Sequence, residues 1–216
     1  MQRLLIYVVF ILIVLTVSLP VFTQNYFSIL QKGASLYEEN CLACHQADAI
    51  GKPGIAPSLV NPEFLSIASK EFLTNTIRDG REGTGMPPFD HLGNLKIKMI
   101  VAYLQSKETL PNRSAEIDGQ LKAVGDTSFG RVWYMNICST CHGSTGNGYD
   151  SEGTGTAIGL PSFLQSVSDG FIRETIKKGR SNTRMLPFQG PEGLANLTIQ
   201  QIDDIIVYLR QQAKRN

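Results

Sequence analysis

Two short stretches decide the fold of this chain: residues 41–45 read Cys-Leu-Ala-Cys-His, and residues 138–142 read Cys-Ser-Thr-Cys-His. Together they hold all four cysteines and two of the three histidines among the 216 residues. In each stretch two thiols stand three residues apart and an imidazole follows directly. On a helix of about 3.6 residues per turn, these three groups lie close together. The chain therefore concentrates its redox-active and metal-ligating side chains at two points.

The two stretches occupy equivalent positions in an internal repeat. Around the first motif, residues recur 97 positions later, so Gly33, Tyr37, Cys41, Cys44 and His45 match Gly130, Tyr134, Cys138, Cys141 and His142. Further on the offset is 99, and Phe72, Ile77, Gly80, Arg81, Thr84, Met86, Pro88 and Phe89 match Phe171, Ile176, Gly179, Arg180, Thr183, Met185, Pro187 and Phe188. At the end of each copy a tyrosine-leucine pair recurs at an offset of 105. The second copy therefore carries loop insertions, the first of them within residues 143–159.

Composition excludes two large classes of protein. A hydrophobic content of 42% and a charged content of 18% are too apolar for a disordered chain. Twenty basic residues against 19 acidic ones provide no basic stripe, so we expect no nucleic-acid partner.

The amino terminus predicts a membrane anchor. Residues 4–22 form a run of 19 residues without charge, which as a helix would be about 28 Å long and match the hydrocarbon core. A cleaved signal peptide is the alternative, but its apolar region usually has about 7–15 residues and ends in a small-x-small pattern. Arg3 precedes the run, and the positive-inside bias then places everything after Asn25 on the periplasmic side.

Each copy reads as helical with long irregular loops. Apolar spacing predicts helices at 33–45, 72–79 and 95–104, and at 130–142, 171–178 and 197–209, with Gly80 and Gly179 closing the middle helix of each copy. The predicted division is an anchor at 1–30, a first domain at 31–108, a linker at 109–125 and a second domain at 126–216. Domains of this size have marginal cores of their own, so another apolar component should complete each one.

Cys-x-x-Cys-His is the attachment signature of covalent c-type haem. Both thiols can form thioethers to one porphyrin, and the following imidazoles of His45 and His142 would bind iron from the proximal side. Three alternatives are weaker. A zinc site usually has its cysteine pairs closer in sequence, a thioredoxin-like pair needs a βαβ setting, and disulfides would leave the histidines unexplained.

The sixth iron ligand is predicted to be methionine in both copies. Met86 and Met185 occupy equivalent positions with prolines nearby, whereas Met1 lies in the anchor, Met99 lies in an apolar helix and Met135 is too near Cys138. His91 could replace Met86, but the second copy has no histidine at that position, and an exposed loop histidine is the expected role. A backbone carbonyl at Pro57 and one at Pro161 are predicted to accept the second ring proton of the proximal histidines.

Both copies resemble class I c-type cytochrome domains, and the chain as a whole resembles a membrane-anchored dihaem cytochrome c. The resemblance implies an all-α fold with two covalently bound haem c groups. Their thioethers would form at Cys41, Cys44, Cys138 and Cys141, and their iron ligands would be His45 with Met86 and His142 with Met185. It also implies the carbonyl contacts of Pro57 and Pro161. Gly33 and Tyr37 are expected to cross the helix of Tyr103, and Gly130 and Tyr134 that of Tyr208.

Two six-coordinate irons would leave no open position for a substrate, so the expected function is one-electron transfer. The chain would be a tethered carrier or a fixed subunit of a respiratory complex. It would link a quinol-oxidising cytochrome bc-type complex to a terminal oxidase or another periplasmic redox partner. A dihaem enzyme of the peroxidase or thiosulfate-oxidising type is the alternative. A basic cluster, which could face an acidic partner or the haem propionates, consists of Lys177, Lys178, Arg180 and Arg184. A solvated helix end is the alternative.

Overall fold

The computed structural model describes residues 24–151, 153–191 and 193–214. The predicted anchor at residues 4–22 lies outside this part of the chain. None of the helices formed by the described residues has both the length and the apolar character needed to span a membrane.

The described part of the chain is all-α, with one isolated β-bridge between Lys52 and Ala56. In the first domain, α1 covers residues 24–40, and it is followed by α2 (Leu42–His45), α3 (Pro62–Leu65), α4 (Lys70–Asp79), a 3-10 turn (Asp90–Leu92) and α5 (Gly93–Gln105). Next come α6 (Ser114–Asp118), α7 (Thr127–Trp133), a π-helical turn (Tyr134–Cys138), α8 (Ser139–His142), a second 3-10 turn (Gly148–Ser151), α9 (Pro161–Leu164), α10 (Asp169–Lys178) and α11 (Ile199–Gln212). The all-α prediction is therefore confirmed for the described residues.

Helices α4 and α10 have matching caps at both ends. Ser69 and Ser168 each accept a hydrogen bond of 3.0 Å at Oγ, from the N–H of Phe72 and Phe171 respectively. At the other end Gly80 and Gly179 have φ of 69° and 64°. The serine caps start both helices two residues earlier than apolar spacing predicts.

In each domain the first long helix crosses the last one at a glycine. A side chain at Gly33 would overlap the backbone carbonyl of Met99, and one at Gly130 would overlap that of Asp204. A tyrosine one turn later packs against a tyrosine of the crossing helix, with ring centroids 5.6 Å apart for Tyr37–Tyr103 and 5.4 Å for Tyr134–Tyr208. Both crossings expected from the family resemblance are therefore present.

The predicted linker contains a helix that packs on the second domain. Ile117 of α6 is fully buried, and its carbonyl lies against Gly170 of α10. Arg113 forms an ion pair of 3.1 Å with Glu174 of α10. Its own backbone N–H donates to the Ser66 carbonyl of the first domain at 2.6 Å. Residues 109–125 thus connect the two domains by specific contacts.

Candidate haem sites

The helix crossing positions the cysteine motifs through the tyrosine hydroxyls. Tyr37 donates to the carbonyl of Gln46, and Tyr134 donates to that of Gly143, both at 2.7 Å. Each acceptor directly follows the histidine of its motif, so the hydroxyl fixes the end of the motif against the crossing helices. All four cysteines are free thiols.

The second motif is preceded by a π-helical turn that the sequence pattern did not predict. Tyr134–Cys138 form this turn, whereas the corresponding residues of α1 are α-helical up to residue 40. Single π-turns inside α-helices are often found at functional sites. No sequence signal distinguishes the two copies here, because the tyrosine-to-cysteine spacing is identical.

The histidine of each cysteine motif is oriented by a backbone carbonyl. His45 Nδ1 lies 2.8 Å from the carbonyl oxygen of Pro57, and His142 Nδ1 lies 2.7 Å from that of Thr156. Because a carbonyl can only accept, Nδ1 carries the proton and donates it. The lone pair of the neutral ring is then at Nε2, where it can bind a metal ion.

The structure contains the predicted contact at Pro57 and corrects the one at Pro161. Pro161 is the first residue of α9, and its carbonyl accepts from the N–H of Gln165 at 2.9 Å. Its counterpart at an offset of 99 is Pro62, which begins α3. Thr156 lies 99 residues after Pro57, so the repeat offset itself would have identified the correct acceptor.

Burial keeps both the imidazoles and two of the thiols uncharged. It lowers the pKa of His45 and of His142, against a smaller opposing effect of their carbonyl hydrogen bonds. It raises the pKa of Cys41 to about 11 and that of Cys138 to about 12, with the neighbouring cysteine as the second cause. Neutral imidazoles are the form that binds metal.

Residues 81–86 and 180–185, here called the methionine loops, have the same hydrogen-bond pattern. The N–H of Arg81 donates to the carbonyl of Met86 at 3.0 Å, and the N–H of Arg180 donates to that of Met185 at 2.6 Å. In each loop a threonine hydroxyl accepts from the methionine N–H and donates to the arginine carbonyl. Both methionines are partly buried and pack against the hydrophobic core.

Two further groups of sequence-predicted residues are His91, which is exposed as expected, and the basic cluster. His91 is exposed in its 3-10 turn, with its ring 5.9 Å from that of Phe89. The basic cluster is divided, because Lys177 pairs with Glu174 at 3.3 Å while the Arg180 guanidinium lies over phenylalanine rings of both domains. The Arg180 side chain therefore lies at the contact between the two domains and not with the lysines at the end of α10.

The residues of both sites fit a covalent haem. Each domain has two free thiols on one helical segment, an imidazole presenting Nε2 and a partly buried methionine in a loop tied to the core. Within the described ranges, no three His, Cys, Asp or Glu side chains converge in a way that could hold a metal ion.

Comparisons with known protein families identify the two domains. The family "Cytochrome C oxidase, cbb3-type, subunit III" matches residues 29–104, and the family "Cytochrome c" matches residues 129–213. The chain is a tandem of two cytochrome c domains. Each carries one Cys-x-x-Cys motif, so the protein binds two haem c groups.

The curated relatives of this tandem cytochrome are subunits of one kind of oxidase. It is 30% identical over 123 residues to the cbb3-type cytochrome c oxidase subunit CcoP of Rubrivivax gelatinosus, covering 56% of the chain and 36% of that protein. With CcoP of Azospirillum sp. (strain B510) the identity is 27%, covering 69% and 52%, and with CcoP of Cereibacter sphaeroides it is 25%, covering 82% and 59%. The chain thus spans between about a third and three fifths of these relatives' lengths.

A solved structure has the same fold. A chain of the Kuenenia stuttgartiensis reducing HAO-like protein complex superposes with a TM-score of 0.52 at 18% identity, covering 84% of this tandem cytochrome and 95% of that chain. At this identity the likeness concerns the fold alone.

Proposed function

We propose that this tandem cytochrome transfers single electrons as a dihaem subunit of a cbb3-type cytochrome c oxidase. The observation that carries the proposal is the matched pair of methionine loops, each closed by the same arginine and threonine bonds. With His45 and Met86 on one iron, and His142 and Met185 on the other, neither iron has a free position for a substrate. The identity of the proposed complex is inferred from the CcoP relatives, which are subunits of cbb3-type cytochrome c oxidases.

The role of the protein would be to keep the axial ligands of each iron in the same positions in both oxidation states. Haem c supplies exchange of one electron at its iron when it is bound. The Pro57 and Thr156 carbonyls fix the ring of the proximal histidine and increase its basicity. The methionine loops are held by backbone hydrogen bonds, so little reorganisation is expected when the charge on the iron changes.

The cellular setting is proposed from the sequence. Residues 4–22 would anchor the chain in the membrane, with both haem domains on the periplasmic side. The divisions proposed are 1–30, 31–108, 109–125 and 126–216. Electrons would come from a quinol-oxidising cytochrome bc-type complex and pass to the catalytic subunit of the oxidase. An anchor raises the effective concentration of the carrier near such partners.

Axial ligation can be tested on the full chain expressed with both haems. The far-red charge-transfer band of the oxidised protein reports iron–methionine ligation. Met86→Ala and Met185→Ala should each remove about half of this band, since each domain holds one haem. Met135→Ala is the matched control, because Met135 is exposed and lies outside both loops. A high-spin haem in the unaltered protein, or a band unaffected by either loop variant, would favour the dihaem enzyme instead.

Membership of a complex needs a separate test. The tagged full chain should be purified from its own membranes in mild detergent. We expect it to carry the catalytic subunit of a haem–copper oxidase and to be oxidised by oxygen in that complex. Recovery of the chain without any oxidase subunit would contradict the subunit assignment and leave a tethered carrier.

A further inference from the structure

At the contact between the two domains, each domain contributes equivalent residues of the internal repeat. Its centre is a cluster of four phenylalanines, two from each domain at an offset of 99: Phe64 and Phe72, and Phe163 and Phe171. Rings of different domains lie 5.3 Å apart for Phe72–Phe171 and 6.4 Å apart for Phe64–Phe171. Such separations are typical of favourable aromatic pairs.

An arginine from each domain covers a ring of its own domain and a ring of the other. The Arg81 guanidinium lies 5.2 Å from the Phe72 ring centroid and 5.7 Å from that of Phe163. The Arg180 guanidinium lies 5.8 Å from the centroids of both Phe64 and Phe171. Residues 81 and 180 are equivalent in the repeat, so these contacts are reciprocal. They are cation–π contacts within the usual range of about 6 Å.

Hydrogen bonds fix both guanidinium groups, and they differ in one respect. Arg81 donates to Thr76 Oγ1 at 2.8 Å, and Arg180 donates to the equivalent Thr175 Oγ1 at 2.6 Å. The second terminal nitrogen of Arg81 crosses to the second domain, where it reaches the Ser162 carbonyl at 2.8 Å and Ser166 Oγ at 2.6 Å. The corresponding nitrogen of Arg180 makes no such crossing contact and donates to the Gly179 carbonyl of its own domain at 3.2 Å.

Rings and neutral oxygens make the direct contacts of both guanidinium groups, and the Glu63 and Glu174 carboxylates raise the pKa of Arg180 against the larger lowering by burial. Among the described residues, neither guanidinium has a carboxylate within salt-bridge distance. Burial lowers the pKa of each arginine to about 10, so both stay cationic at neutral pH. A partly buried guanidinium of this kind is held by stacking and by its fixed fork of donors. Losing the partner domain would therefore remove much of what stabilises it.

The same two arginines close the methionine loops. Their backbone N–H groups bond to the carbonyls of Met86 and Met185, as described above. The backbone of each arginine thus closes a methionine loop of its own domain, and its side chain contacts the other domain. A change in the second domain that releases the Arg81 side chain should loosen the Met86 loop some residues away.

We propose that Arg81 and Arg180 are positioning residues through which each domain stabilises the methionine loop of the other. The two couplings use different groups: Arg81 adds hydrogen bonds from its own side chain across the interface, whereas the residue after Arg180, Ser181, donates to Glu63 of the first domain. The inference rests on the proposed ligation by Met86 and Met185. It makes the properties of one haem site depend on residues of the other domain.

The test measures how easily an added ligand displaces each methionine. Oxidised full-length protein with both haems is titrated with imidazole, and Met86→Ala and Met185→Ala assign the two titrations. Phe163→Leu removes the ring that the second domain places under Arg81. It should raise the imidazole affinity of the first haem about threefold, and Arg81→Gln should raise it about tenfold. Phe64→Leu removes the ring that the first domain places under Arg180, and it should likewise raise the imidazole affinity of the second haem.

The controls separate this coupling from simple loss of charge or of folding. Arg78→Gln removes an exposed cation of α4 that pairs only with Asp79, and it should leave both affinities unchanged. Arg81→Lys keeps the charge without the donor fork, so an affinity between those of the native protein and Arg81→Gln supports positioning. Each variant is checked for two haems per chain.

Three results would overturn the inference. The first is a Phe163→Leu variant whose first haem has the native imidazole affinity, and the second is an Arg81→Lys variant that binds imidazole as tightly as Arg81→Gln does. In both, Met86→Ala still differs from the native protein, so the proposed ligation stands. If the native first haem already binds imidazole as tightly as Met86→Ala does, the ligation proposed for Met86 fails, and this inference fails with it.

Discussion

The two haem domains differ most where they orient the proximal histidine. In the first, the acceptor lies 12 residues beyond His45 and is the carbonyl of an exposed proline. In the second it lies 14 residues beyond His142 and is the carbonyl of a threonine in a glycine-rich loop. The imidazole contacts are nearly equal in length at 2.8 and 2.7 Å. What both copies share is the path of the backbone past the imidazole, and different side chains support that path.

Close packing constrains the residue before each acceptor differently. Ala56 precedes Pro57, and its side chain is buried with 6% exposure. Gly155 precedes Thr156, donates to the Cys141 carbonyl at 2.7 Å and lies so near His142 that a Cβ would be 2.8 Å from two ring atoms. A side chain at position 155 would therefore crowd the His142 ring, whereas the first loop carries a buried alanine at the equivalent position.

The largest effect is expected from the helix that only the second domain receives from the linker. Ile117→Ala removes a fully buried side chain from the contact of α6 with α10. It should lower the free energy of unfolding by about 3 kcal/mol. Denaturant unfolding of the protein with both haems, followed at the haem absorption, measures this loss. Leu121→Ala, at 87% exposure on the same segment, is the matched control, and equal behaviour of the two variants would mean that the segment is only a tether.

At the helix crossing the two domains should respond alike. Gly33→Ala and Gly130→Ala each place a methyl group on a carbonyl of the crossing helix. Overpacking should cost about 2 kcal/mol in each case, after the small gain in helix propensity. Thermal and denaturant unfolding give the comparison, and Gly85→Ala, which meets no atom within 4 Å, is the control. A large cost in only one domain would show that the crossing is not equally important in both.

Repeated features could be predicted from the sequence, and unrepeated ones could not. The cysteine motifs and the capping glycines at 80 and 179 follow from matches at fixed offsets, and the glycine and tyrosine crossings follow from the family resemblance. The acceptor at Thr156 was missed because a proline was sought by residue type, although the offset of 99 pointed to the threonine. The packing of α6 and the interface role of Arg180 depend on how the domains meet, which no local pattern encodes.

A smaller effect, confined to the second haem, is expected from Gly155→Ala. The added methyl group would displace the His142 ring or the loop, which should lower the free energy of unfolding by about 1–2 kcal/mol. The paired change Ala56→Gly gives the first domain the glycine that the second domain has at this position. It should lower the free energy of unfolding by only about 1 kcal/mol and leave the spectrum of the first haem unchanged. Absorption and redox titration of both haems separate the two results. An unaltered second haem in Gly155→Ala would show that the loop can move away from the ring freely.

The smallest effect concerns the proline that the first domain has and the second lacks. If the carbonyl alone orients His45, Pro57→Ala should keep the contact, because every residue has a carbonyl. The unfolded chain would gain freedom, so the free energy of unfolding should fall by about 0.7 kcal/mol. Denaturant unfolding measures this change, and the redox titration of the first haem should match that of the native protein. Thr156→Ala serves as the control in the second domain, where no ring is lost. A shifted first haem in Pro57→Ala would mean that the pyrrolidine ring itself fixes the carbonyl, and the two domains would then orient their histidines by different physical means.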